Sequence, residues 1–126
     1  EHALSHADAH VGQTYREADG TLVFLDWQGV CLGHWANDVA YFMTGALETE
    51  VRRASERDLL ALYGEALAAG GGPDLSADEL WTDYRRHALH GYVWQITPTE
   101  MQPIETVAAM AARHVAAVDD LDSLNV

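Results

Sequence analysis

Residues 13–26 read Gln-Thr-Tyr-Arg-Glu-Ala-Asp-Gly-Thr-Leu-Val-Phe-Leu-Asp, and this stretch decides the fold class. It holds two β-prone runs, 13–17 and 21–26, joined through an Asp-Gly pair, which is a strong signal for a hairpin turn. The second run is apolar on both faces up to Leu25, so we expect it to be buried on both. The stretch therefore predicts a short β-hairpin near the N-terminus.

Helical patterns fill the sequence behind this hairpin. Asn37 or Asp38 can cap a first helix that ends near residue 47, and a second helix is expected over 50–69. A Ser-Ala-Asp-Glu capping box at 76–79 predicts the start of a third helix, which a Thr-Pro pair at 97–98 would end. A fourth helix begins near residue 104. The sequence therefore predicts an α+β fold that is mainly α, with a short hairpin followed by a helical bundle.

Apolar residues recur at helical spacing in the last three helices, and these stripes predict the buried faces. The stripe of the second helix comprises Leu59, Leu60, Tyr63 and Leu67. The stripe of the third comprises Leu80, Tyr84, His87, Gly91 and Trp94. The stripe of the fourth comprises Ile104, Val107, Ala108, Ala111, Val115 and Val118.

The charge balance argues against several classes of partner. Twenty acidic and seven basic residues give a net charge of −13, which disfavours nucleic acid and anionic membranes as partners. All seven basic residues are arginine, whereas P-loops and protein-kinase nucleotide lobes place a lysine on the phosphates. If a nucleotide binds, another polypeptide segment must therefore supply most of its site.

The sequence favours a cytoplasmic location. No apolar run approaches the length of a membrane span, and nothing resembles a signal peptide. The single cysteine, Cys31, allows no internal disulfide, which fits a reducing compartment. We therefore expect a cytoplasmic protein.

Two aspartates near the N-terminus carry the chemistry that the sequence suggests. Asp8 lies in a His-flanked loop, and Asp26 ends the apolar run 18 positions later. Phosphoryl transfer uses such a pair, because one carboxylate receives a hydroxyl proton while a second holds magnesium. An acid after four apolar residues also needs a partner or a metal if it is buried. The pair therefore favours a phosphotransferase.

Three segments in order resemble the motifs of one group of enzymes. Residues 6–13, His-Ala-Asp-Ala-His-Val-Gly-Gln, resemble a catalytic loop of the form His-Gly-Asp-x-His-x-x-Asn. Residues 24–28, Phe-Leu-Asp-Trp-Gln, resemble its metal-binding segment, and 35–42 resemble the Asp-Leu-Ala start of its next helix. The chain is thus similar to the aminoglycoside phosphotransferase-like and choline or ecdysteroid kinase-like small-molecule kinases. The motifs cover residues 4–47.

The resemblance implies roles for the residues of these motifs. Asp8 would be the catalytic base, and Asp26 would coordinate the Mg²⁺ that bridges the phosphates of ATP. Gln13 stands where the family carries a metal-binding Asn, and it keeps the amide oxygen but adds a methylene. Ala7 replaces the usual glycine of the loop.

Other residues are expected to support the loop or to meet the substrate. His6 and His10 would orient the loop through ring hydrogen bonds, and the carboxylate of Asp38 would brace it. His90 lies off the apolar stripe of the third helix and is a candidate for lining a cleft. The aromatic residues of that helix and the acidic surface would suit a cationic small-molecule substrate with a hydroxyl group.

The whole chain, 1–126, is expected to form part of a kinase-like C-terminal lobe. Residues 1–35 would hold the catalytic and metal-binding loops, and 36–126 the helical substrate side. ATP and Mg²⁺ would need an N-terminal lobe missing from this chain, so we expect the chain alone to be inactive and to self-associate through exposed apolar surface. Two alternatives stay open. One is a non-catalytic helical binding module with a degraded kinase loop, and the other is a zinc protein that uses His2, His6, Asp8 and His10.

Overall fold

The computed structural model describes residues 2–95 and 102–126. It places four short strands before four helices in these ranges. The strands are β1 (His2–Ser5), β2 (Thr14–Arg16), β3 (Leu22–Phe24) and β4 (Cys31–His34). The helices are α1 (Trp35–Ala46), α2 (Thr49–Ala69), α3 (Ala77–Gln95) and α4 (Ile104–Asp120). The predicted α+β, mainly α fold is confirmed. The Thr-Pro stop predicted at 97–98 lies outside the described residues.

The predicted hairpin is confirmed as the antiparallel pair of β2 and β3. Its turn contains Gly20 with φ of +94°, a conformation that glycine adopts without steric cost. The expectation that the second run is buried on both faces is wrong, because Leu22 and Leu25 are 47% and 45% exposed. The described residues place β3 beside a single strand, β2, so the hairpin is only partly covered.

A second antiparallel pair joins β1 to β4 and was not predicted. Ser5 pairs with Cys31, so the start of the catalytic-like loop lies beside the strand that leads into α1. Leu4 and Leu32 form a cross-strand pair in this ladder and are 70% and 78% exposed. The two strands thus fix where the loop begins relative to the helices.

Helix α1 begins at Trp35, so the predicted cap at Asn37 or Asp38 is wrong. His34 caps the helix instead, because its extended backbone ends β4 and its Nδ1 accepts a hydrogen bond from the amide of Ala36 at 3.3 Å. Asp38 therefore lies in the first turn of the helix, where its carboxylate is available to other segments.

The capping box before α3 is confirmed. The amide of Ser76 donates to the carboxylate of Glu79 at 2.8 Å, and the amide of Glu79 donates to the Ser76 hydroxyl at 3.3 Å. The Ser76 hydroxyl also donates to the Glu79 carboxylate at 2.7 Å, and this bond, followed by the one from the Ser76 amide, lowers the pKa of the Glu79 carboxyl. Helix α3 therefore starts where the sequence predicts.

The core lies where α1 packs against α3 and α4. Its buried apolar members are Trp35, Ala36, Ala40, Met43, Leu60, Leu80, Tyr84, Ala88, Ala117 and Leu121. The predicted stripe of α3 is wrong at Trp94, which is 51% exposed, and that of α2 is wrong at Leu59, which is 37% exposed. Within the described ranges, no helix is both long and apolar enough to cross a membrane.

The buried face of α4 differs from the prediction. Ile104 and Val115 are 60% and 45% exposed, and the buried positions are Val107, Met110, His114 and Ala117. The His114 ring fits between α1 and α3 because Gly45 and Gly91 lie against it, where a Cβ would come within 3.0 Å. The buried face of α4 contains the polar residue His114. A search for apolar residues at helical spacing therefore selected a different face of the helix.

Candidate active site

The loop after β1 is held by the carboxylate of Asp38. Oδ2 of Asp38 accepts hydrogen bonds from the Ser5 hydroxyl at 2.9 Å and from the amide of His6 at 2.6 Å. Oδ1 accepts a third from the amide of Ala7 at 3.0 Å. An ionised carboxylate is a strong acceptor, so these bonds fix the loop to the first turn of α1.

The backbone at Ala7 is left-handed, with φ of +68°. The resemblance places a glycine here, and this conformation costs an alanine about 1 kcal/mol. The amides of His6 and Ala7 both point at Asp38 in this conformation. Asp26 is also left-handed, with φ of +56°. Ala7 directly precedes Asp8, and Asp26 is itself the second aspartate of the pair that the sequence suggests. Strained backbone of this kind is common in functional sites.

The ring of His6 connects the loop to the segment that carries Asp26. Its Nε2 donates to the carbonyl oxygen of Leu25 at 2.6 Å, and its Nδ1 accepts from the amide of Asp8 at 3.3 Å. The ring also packs on Trp27, with centroids 4.7 Å apart. A single neutral tautomer, protonated at Nε2, satisfies both bonds.

The carboxylate of Asp8 has two polar neighbours. Nε2 of Gln13 donates to its Oδ2 at 3.2 Å, and Nε2 of His10 lies 3.7 Å from the same oxygen. His10 also accepts a hydrogen bond at Nδ1 from the amide of Gly12 at 3.0 Å. Asp8 is thus oriented from two sides while its side chain stays 48% exposed.

A cleft of about 540 Å³ brings these groups together. Its lining includes Ala7, Asp8, His10, Gly12, Gln13, Asp26, Gln28, Gly29, Tyr41, Trp94 and Gln102. Asp8, Gln13 and Asp26 therefore face one space. His6 and Asp38 hold the segments around it, since their bonds run to the loop backbone and to Leu25.

Two aromatic residues line the cleft wall, of which the sequence reasoning missed Tyr41 and assigned Trp94 both to the aromatic set of the third helix and to its buried stripe. Tyr41 and Trp94 lie in apolar helical patterns, which do not distinguish a core position from a cleft wall. Burial raises the pKa of Tyr41 to about 12, with a further contribution from the Asp8 charge. Tyr41 thus stays protonated at neutral pH.

His90 does not line the cleft. Its ring lies 5.9 Å from that of Tyr41 and 6.2 Å from that of Trp94, so it contacts both wall residues. Burial is the main cause that lowers its pKa, opposed by the charge of Asp38. His90 is therefore placed as a neutral support for the aromatic wall.

The oxygen donors of the cleft fit magnesium. Asp8, Asp26 and Gln13 offer carboxylate and amide oxygens, and Mg²⁺ is commonly held by one or two carboxylates together with water and substrate phosphates. The zinc alternative is not supported by the described residues, where no three His, Cys, Asp or Glu side chains converge on a metal position. The rings of His6 and His10 bond to backbone atoms instead.

Comparison with known proteins shows what the chain is similar to. The model of the ecdysteroid kinase-like family matches residues 2–70, a range that contains Asp8, Asp26 and Asp38. A Caenorhabditis elegans protein named "Uncharacterized oxidoreductase dhs-27" is 33% identical over 75 residues. That match covers 52% of this chain and 9% of the relative, so the chain spans a small part of that protein. No solved structure matches the chain.

Proposed function

We propose, since this chain belongs to the ecdysteroid kinase-like family, that it forms part of a phosphotransferase that moves the γ-phosphoryl group of ATP to a small-molecule hydroxyl. The observation that supports this most is that Asp8 and Asp26 line one cleft although they are 18 positions apart. Asp38 and His6 hold the two segments in that arrangement.

Asp8 is the proposed catalytic base. The acceptor oxygen forms a bond to the γ-phosphorus while the bond from that phosphorus to the bridging oxygen of ADP breaks. The hydroxyl proton passes to the Asp8 carboxylate, whose Oδ2 is oriented by Gln13. Asp26, together with the amide oxygen of Gln13, would hold Mg²⁺, which neutralises phosphate charge when it is bound.

The cleft favours a cationic acceptor. Its described lining carries the carboxylates of Asp8 and Asp26 but neither lysine nor arginine. The indole of Trp94 is 51% exposed beside them and offers a face for an ammonium or guanidinium group. His90 packs behind that indole and holds it.

The nucleotide site needs a second segment. The chain contains no lysine, and kinase-type nucleotide sites place one on the phosphates. We therefore propose that an N-terminal lobe supplies that site and that the 126 residues alone do not phosphorylate.

The exposed pair of Leu4 and Leu32 is a surface through which the isolated chain would self-associate. Consumption of ATP and the exposed thiol of Cys31 both fit a cytoplasmic location.

The test is nucleotide binding by a full-length protein that carries this chain. We expect ATP binding that requires Mg²⁺ and that Asp26→Ala abolishes, whereas Asp58→Ala, on the exposed face of α2, leaves it unchanged. Asp8→Asn should keep ATP binding but lower turnover with cationic alcohols by about 10²-fold or more. Nucleotide binding that does not require Mg²⁺ and that Asp26→Ala leaves unchanged would favour the non-catalytic binding module.

A further inference from the structure

The imidazole ring of His114 lies directly behind the wall of the cleft. The residue is on α4, it has no exposed surface, and its ring stacks on that of Tyr41 with centroids 5.8 Å apart. Tyr41 in turn lines the cleft. Helix α4 lies beyond residues 2–70, which the family model matches. The back of the wall is therefore built by a part of the chain outside that match.

Hydrogen bonds to α1 fix the rotation of this ring. The hydroxyl of Thr44 donates its one proton to the carbonyl oxygen of Ala40 at 2.6 Å, so its oxygen can only accept from His114. Nδ1 of His114 lies 2.9 Å from that oxygen and therefore carries the proton. The ring is thus tied to the turn of α1 that holds Tyr41.

Two glycines allow the rings to pack this closely. A Cβ on Gly91 would lie 2.5 Å from Cε1 of His114 and 2.9 Å from Cδ2 of Tyr41. A Cβ on Gly45 would lie 3.0 Å from Nε2 of His114. Because closely packed interiors transmit strain, a rotation of the His114 ring displaces the ring of Tyr41.

Stability alone does not account for a histidine at this position. Among the described residues Nε2 of His114 has no hydrogen-bond partner, and a buried acceptor without a donor costs free energy. An apolar side chain of similar shape would avoid that cost. It would lack the bond from Nδ1 to Thr44, which is the contact that fixes the ring against Tyr41.

We propose that His114 is a positioning residue that sets the Tyr41 wall of the cleft and so controls how a substrate fits there. The ring of Tyr41 lies 6.1 Å from that of His10, which lines the cleft, and 5.9 Å from that of His90. His90 packs behind Trp94, the proposed face for a cationic group. The effect on substrate rests on the proposed function, because it assumes a cationic acceptor, whereas the effect on the wall does not.

The first measurement is NMR of the isotope-labelled 126-residue chain without ligand. The nitrogen shifts of His114 need no variant and should show the ring proton on Nδ1 at pH 7. Thr44→Val removes the acceptor but keeps the shape, so the ring signals of Tyr41 and His10 should shift. Thr44→Ser keeps the hydroxyl, and both signals should stay near their wild-type positions.

The matched control is Gly64→Ala. Like Thr44→Val it disturbs buried packing, because the new Cβ would lie 2.7 Å from Cδ1 of Leu80. This contact joins α2 to α3 and involves no residue of the cleft lining. We therefore expect the signals of Tyr41 and His10 in this variant to match the wild type.

The second measurement uses tetramethylammonium chloride as the cation probe. Its dissociation constant, read from the indole signal of Trp94, should rise about threefold or more in Thr44→Val, as expected when a cation–π contact is weakened. Thr44→Ser and Gly64→Ala should bind the probe as the wild type does.

Contrary outcomes separate this inference from the proposed function. A proton on Nε2 of His114, unmoved Tyr41 and His10 signals in Thr44→Val, or equal shifts in Gly64→Ala would overturn the positioning role while the phosphotransferase proposal stands. An unchanged affinity of Thr44→Val for the probe would show that the ring serves stability alone. If the wild-type chain does not bind the probe but the signals shift as expected, the cationic acceptor is wrong and the positioning of the wall stands.

Discussion

Nε2 of His6 donates a 2.6 Å hydrogen bond to the carbonyl oxygen of Leu25. The opposite ring nitrogen accepts from the amide of Asp8, so one imidazole spans the two segments that carry the aspartates. The residue is 3% exposed, which shields both bonds from water. His6 therefore controls the separation of the segments without facing the cleft itself.

Replacement of His6 by leucine should destabilise the fold. The carbonyl of Leu25 and the amide of Asp8 would lose their partner, so the free energy of unfolding should fall by about 1–3 kcal/mol. Urea denaturation followed by tryptophan fluorescence measures this. Asp58→Asn, on the exposed face of α2, should leave the midpoint unchanged. A His6→Leu variant as stable as the wild type would show that the ring is not a structural link.

Asp38→Asn should release the loop after β1. The asparagine side chain keeps one acceptor oxygen and has an NH₂ group in place of the other. Because that NH₂ group would face a donor, at least one of the three bonds from Ser5, His6 and Ala7 is lost. We expect the free energy of unfolding to fall by about 2 kcal/mol. Hydrogen exchange at the amides of His6 and Ala7 should also become faster. Unchanged exchange at both amides would contradict the bracing role of Asp38.

Ala7→Gly should stabilise the protein. The φ of +68° is strained for alanine but not for glycine, so we expect a gain of about 0.5–1 kcal/mol in the free energy of unfolding. The matched control is Ala61→Gly on the exposed face of α2, where the same substitution should cost about 1 kcal/mol. A loss at both positions would mean that the loop does not need a left-handed residue.

The hairpin and the start of α3 could be predicted because their signals are local. Asp19 and Gly20 mark the turn, and Ser76 with Glu79 marks the start of α3, whatever the rest of the chain does. The face of α4 could not be predicted in this way. Alanines occur on several faces of this helix, so the position of its apolar stripe is ambiguous. The buried His114 is a polar residue type, so an apolar pattern does not include it.

The walls of the cleft could not be predicted from residue spacing, because they depend on contacts between segments that are distant in the sequence. The bonds of Asp38 to the loop span 31 to 33 positions, and only the fold brings these segments together. Tyr41 and Trp94 fit an apolar helical pattern equally well as core or as cleft wall. The pair of Asp8 and Asp26 was accessible from the sequence because its motifs are contiguous, whereas its aromatic wall was not.

The buried ring of His114 makes the stability of the fold dependent on pH. The residue has no exposed surface, and its Nδ1 lies 2.9 Å from the hydroxyl of Thr44. Among the described residues its Nε2 has no hydrogen-bond partner, and the ring stacks on Tyr41 at 5.8 Å. Burial lowers the pKa of His114 from 6.5 to about 4.

Acidification should therefore weaken the fold through His114. Because its folded pKa of about 4 lies below 6.5, the unfolded state binds more protons between these pH values. The contribution of the neutral His114 ring to the free energy of unfolding is complete above pH 6.5. It is lost as the pH falls, by roughly 3 kcal/mol at pH 4. Urea denaturation between pH 7 and 4.5 should show that the free energy of unfolding falls more steeply for the wild type than for His114→Gln. The variant is the control because its carboxylates still titrate while the buried ring is absent. Equal slopes, or a His114 ring that titrates near 6.5 by NMR, would contradict its neutral burial.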